Sequence, residues 1–171
     1  MIKHELRLVS TSINVRVLLT EMDETQIAAL MKRVGKNKPT LHIHNPYSEH
    51  FGRLPDFEVE YEFSVDPELK DVVPCQGMRT DFLYDGDDPQ IEGINMIWPE
   101  LLDESGDVIL DKRILPASKG TATMWIGMHE SRVSIHRNRI QLGTKGYWVF
   151  GSKVYAKVIV TKIIGLFENE E

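Results

Sequence analysis

The chain has one cysteine, Cys75, among 171 residues. An intrachain disulfide is therefore excluded, and a lone thiol fits a reducing compartment, so a cytoplasmic protein is expected. No apolar run approaches the roughly 20 residues that span a bilayer. Met1-Ile2-Lys3-His4-Glu5 lacks the apolar stretch of a secretory signal, and no membrane association is expected. Also missing is any Gly-x-x-x-x-Gly-Lys-Ser/Thr run, whose amides and lysine cradle nucleotide phosphates. No internal repeat or low-complexity segment occurs. Basic residues are outnumbered, 20 against 26 acidic ones, for a net charge of −6. That balance works against long-range steering toward phosphate.

Apolar residues make up 42% of the chain and charged ones 27%, enough for one soluble domain with at most a short appended unit. The most organised stretch is Gly143–Gly165. Tyr147–Phe150 and Lys153–Ile164 read as a hairpin with Gly151-Ser152 as its two-residue turn. On the return strand Val154, Ala156, Val158 and Val160 share one face, and Lys153, Tyr155, Lys157 and Thr161 the other. Phe57–Val65 alternates as cleanly: Phe57, Val59, Tyr61, Phe63 and Val65 face a core, and Glu58, Glu60 and Glu62 face outward. Further strands are expected at Gly77–Tyr84, Ile91–Trp98, Val108–Leu110 and Thr121–Met128, with Arg132–Leu142 also extended. Short strands punctuated by glycine and proline indicate a β-barrel or sandwich over residues 57–165.

Residues 1–50 form a small β-α-β extension. Residues 5–19 alternate, Asp23 and Gln26 make a capping box, and Ile27, Leu30, Met31 and Val34 line one helical stripe that Gly35 ends. Thr40–His44 is a brief strand stopped by Asn45-Pro46, and Tyr47–Pro55 is the linker. Residues 166–171 are an acidic tail, expected to fray.

Charge is unevenly distributed. Residues 112–162 carry +9, with Glu130 as their only acid, and the remainder carries −15. Two readings follow. Basic strands neutralise acidic strands within one sheet, or the basic segment offers a surface to RNA or to an acidic partner.

The order of strands and turns over residues 57–165 resembles the third domain of bacterial elongation factor Tu. The matching fragments are Val59-Glu60, Pro74, Gly77-Met78-Arg79-Thr80-Asp81-Phe82, Pro116, and Gly151-Ser152-Lys153-Val154-Tyr155-Ala156-Lys157-Val158-Ile159. Met78 stands where that family has an aromatic and Thr80 where it has proline. The family's nucleotide-binding domain has no counterpart here, so no GTPase activity is expected. The resemblance implies a mainly β fold, a six-stranded antiparallel Greek-key barrel used for contacts with tRNA and with proteins. Its matching RNA-facing positions are Arg79 and the basic residues near the closing hairpin, Lys145, Lys153 and Lys157. Arg79 has a structural reading too, as a cross-strand partner of Glu60 or Glu62.

Other chemistry is sparse. His42-x-His44 sets two imidazoles on one strand face, with His50 beyond a turn, a spacing able to chelate zinc. Cys75, His129, Glu130 and His136 include potential nucleophile and base types, but their spacing fixes no arrangement. Trp98, Trp125, Trp148 and Tyr147 offer faces for core packing or for stacking on nucleic acid. No catalytic residue and no cofactor is expected. The sequence points to a non-enzymatic cytoplasmic module that binds a protein partner. The alternatives are RNA binding through residues 112–162 and a metal-dependent enzyme built on His42, His44 and His50.

Overall fold

The alternation at Phe57–Phe63 forms β1. In the computed structural model, which describes residues 42–64, 73–151 and 153–169, Phe57, Val59 and Tyr61 are buried while Glu60 and Glu62 are exposed. Five more strands join β1: β2 (Asp81–Tyr84), β3 (Ile97–Leu101), β4 (Lys119–Ile126), β5 (Lys145–Phe150) and β6 (Lys153–Ile163). All pair antiparallel in the order β2-β5-β6-β1-β4-β3. The sheet curls into a half-barrel, and its edges meet through one bridge. There Phe82 and Asn95 exchange backbone hydrogen bonds of 2.7 and 2.9 Å. With that bridge β2, β3 and β4 are successive neighbours and β1 returns beside β4, a Greek key. The expected mainly β, six-stranded antiparallel fold is the observed one.

The inward residues explain the closure. Phe57, Phe82, Ile97, Met124, Trp148 and Ala156 are wholly buried. Phe57 meets Phe82 edge-on at 6.3 Å, and Tyr61 meets Trp148 at 5.2 Å. Phe82 lies over Gly146, where a Cβ would come within 2.9 Å of the Leu83 carbonyl oxygen. At the β5–β6 turn Phe150 pairs with Lys153, and Gly151 takes φ 58°, a conformation glycine enters freely.

Asp56, immediately before β1, ties distant segments together. Its buried carboxylate accepts the Ile126 amide at 2.7 Å, Arg132 Nε at 2.7 Å, Arg53 Nη1 at 3.0 Å and Asn169 Nδ2 at 3.2 Å. Residue 169 is thus held, contrary to a freely fraying tail. Leu166 is wholly buried, and the Asn169 amide also donates to the Leu54 carbonyl.

Several expected elements differ. The stretch Arg132–Leu142 is not extended. Residues 129–139 form a helix, α2, wound as α over His129–Ser131, as π over Arg132–His136 and as α again over Arg137–Arg139. Its buried positions Arg132 and His136, and Ile140 that caps its end, repeat every four residues, a helical face masked in sequence because two of the three are polar. Tyr47–Pro55 is not a simple linker, since Tyr47–Phe51 forms a short helix, α1, stopped by Gly52 at φ 63°. The strand expected at Ile91–Trp98 starts only at Ile97 and runs to Leu101. Val108–Leu110 and the described part of Thr40–His44 contribute only the bridges Leu102–Val108 and Ile43–Asp111. The strands expected over residues 5–19 and the helix ending at Gly35 lie outside the described residues.

Candidate functional site

The outer face of the sheet is built in cross-strand rows. One row runs Lys119 (β4), Glu62 (β1), Lys157 (β6), Tyr147 (β5); the next runs Thr121, Glu60, Ile159, Lys145. Twist between neighbouring strands hollows this face into a trough of about 780 Å³ that both rows line together with Asp85. Lys119 Nζ sits 3.1 Å from Glu62 Oε1, and the Tyr147 hydroxyl donates to Asp85 Oδ1 at 2.6 Å. That bond holds the Tyr147 phenol above its usual pKa, because ionisation would set two negative charges together. Three lysines and three carboxylates therefore share the trough. A second recess of about 380 Å³ shares Asp85 and Lys145 with it and adds Tyr84, Arg139 and Thr144. Arg139 lies 3.8 Å over the Tyr84 ring and makes two 2.8 Å hydrogen bonds to Asp87.

The residues singled out from sequence are only partly brought together. Lys145 and Lys157 line the trough. Lys153 opens β6 opposite Phe150 and is not among the trough residues. Arg79 stacks 4.5 Å over Trp98, in place of the expected contact with Glu60 or Glu62. The basic segment is not one surface. Arg113 pairs with Asp111, Lys119 with Glu62, Arg139 with Asp87, and buried Arg132 with Asp56.

The three histidines part company. His42 and His50 are exposed, whereas His44 is buried with Nε2 2.7 Å from Glu100 Oε1. That glutamate also accepts the Tyr47 amide at 2.6 Å and Trp125 Nε1 at 3.2 Å. No group of three or more potential metal ligands forms among the described residues. Cys75 is half-buried against the core. Buried His136 shares a 2.7 Å hydrogen bond between its Nδ1 and the Tyr84 hydroxyl; burial foremost brings its pKa down to about 4. Trp125 and Trp148 are core residues, and Trp98 is half-buried in a cluster with Tyr47 and Phe51.

No protein-family model matches this chain, and no curated protein matches it.

Sequence reasoning missed the trough itself, which depends on a register it could not count. From the turn, direct pairing sets Tyr147 opposite Ala156 on the inner face. A bulge between Trp148 and Val149 shifts the pairing so that Tyr147 faces Lys157 outside. The same irregularity leaves Tyr155, expected on the outer face, buried against Phe63 and Phe150. The available signal was charge. Glu60 and Glu62 on β1 needed basic neighbours, and Lys119 and Lys157 were at the right place in their strands to supply them.

Proposed function

We propose that the protein is a non-enzymatic, cytoplasmic interaction module that binds a protein partner through the outer trough of its half-barrel. One observation carries the reading: the trough mixes three lysines with three carboxylates on a single open face. Such a surface complements the mixed charges of a polypeptide. The uniform charge of an RNA backbone meets repulsion from Glu60, Glu62 and Asp85. The resemblance of residues 57–165 to the third domain of elongation factor Tu supports the same use, a barrel serving as a contact surface. On this reading the chain has no GTPase activity. No described helix is long and apolar enough to cross a membrane.

Purification of tagged protein from its own cells, with and without nuclease, tests the reading in wild type and Glu60→Arg. Glu60 is exposed, so the variant keeps the fold. A nuclease-resistant protein partner, weakened by Glu60→Arg, is the expected result. Recovery of nucleic acid that Glu60→Arg increases would favour the RNA reading instead.

A further inference from the structure

The trough's charges are ordered as well as mixed. Lys119 is engaged by Glu62, and Arg139 in the adjoining recess by Asp87. The charges left to a ligand are Glu60, Lys157, Lys145 and Asp85, whose carboxylate also accepts from Tyr147. Among the described residues Lys145 and Lys157 have no carboxylate at ion-pair distance. Strand register fixes their sequence across the face: Glu60 on β1, Lys157 on β6, Lys145 on β5, then Asp85 just past β2, its amide bonded to the Lys145 carbonyl. The centre is positive and both flanks are negative.

We infer that the trough takes an extended segment of the partner whose central side chains are acidic and whose flanking side chains are basic. The inference rests on the protein-binding reading above and names the chemistry of that partner. From Glu60 on β1 to Asp85 the floor crosses three strand intervals of about 4.8 Å, roughly 14 Å, and seven extended residues, whose first and last side chains stand about 20 Å apart, overlie it with both flanking side chains reaching inward. An extended chain turns every second side chain to the same face. Positions 1, 3, 5 and 7 of such a segment therefore meet the floor in the order basic, acidic, acidic, basic. An RNA strand carries charge of one sign only, and the carboxylates on both flanks oppose it.

Two labelled peptides of equal, zero net side-chain charge test the pattern by fluorescence anisotropy at low salt. Lys-Ala-Glu-Ala-Glu-Ala-Lys presents the acidic centre, and Glu-Ala-Lys-Ala-Lys-Ala-Glu inverts it. Wild-type protein should bind the first at least about tenfold more tightly. The double variant Lys145→Glu/Lys157→Glu should reverse the preference, while Lys112→Glu, away from the trough, should leave it unchanged. Lys145 and Lys157 are exposed, and an unchanged melting temperature verifies the fold. Equal affinity for the two peptides, no binding of either at millimolar concentration, or a preference indifferent to the double variant would overturn the inference. So would tighter binding of a twelve-residue oligouridine with steep salt dependence. A partner that Glu60→Arg weakens in cells, together with peptides that show no preference, would remove this inference and leave the protein-binding reading standing.

Discussion

Removing the Asp56 carboxylate should be among the most damaging single changes in the barrel. In Asp56→Ala, buried Arg132 loses its charge partner, and stranding one half of a buried pair costs about 3–5 kcal/mol. The buried Ile126 amide also loses its acceptor, which costs about 1–3 kcal/mol, with incomplete additivity between the two losses. Against domain stabilities of about 5–15 kcal/mol, such a loss removes a large share of the margin and all of it at the lower end. Arg132→Met should cost less, because Asp56 keeps Arg53, Asn169 and the Ile126 amide. Urea unfolding followed by tryptophan fluorescence reads this directly, since Trp125 and Trp148 are buried in the barrel. An Asp56→Ala unfolding free energy within about 1 kcal/mol of wild type, or a loss in Arg132→Met larger than in Asp56→Ala, would refute the hub.

Four further outcomes follow. Gly146→Ala should destabilise the barrel by about 1–3 kcal/mol in the same urea assay, because its methyl meets the Leu83 carbonyl and the Phe82 ring. His136 is neutral in the fold, with a pKa of about 4 against an ordinary 6.5. The unfolded chain therefore binds a proton first as pH falls, and stability should drop between about pH 6.5 and 4 by about 3 kcal/mol. His136→Gln, which retains a hydrogen-bond partner for Tyr84, should flatten that pH dependence. Lys119→Ala should change stability by less than about 1 kcal/mol, because its pair with Glu62 is exposed. Stoichiometric zinc should leave the melting temperature unchanged, since His44 is committed to Glu100.

What the sequence revealed tracks how local each signal is. Phe57–Phe63 and the closing hairpin carry period-two patterns strong enough to read directly, and these strands sit at the centre of the sheet. The 129–139 helix was hidden because its buried face uses Arg132 and His136, whose partners Asp56 and Tyr84 are more than fifty residues away in sequence. Glu100 was passed over for a similar reason. A buried carboxylate is recognisable only once His44, Tyr47 and Trp125 surround it. The candidate site was half legible: Lys145 and Lys157 were named, but the bulge that sets Tyr147 beside Lys157 is a property of pairing, not of composition.

Site-specific photo-crosslinking in the protein's own cells tests whether the outer trough binds a protein. A benzoylphenylalanine at Tyr147, in the trough, is compared with one at Val133, exposed on α2. A discrete, nuclease-resistant protein adduct should form from position 147 and none from position 133. Adducts to RNA from position 147, or the same protein adduct from both positions, would contradict protein binding by the trough.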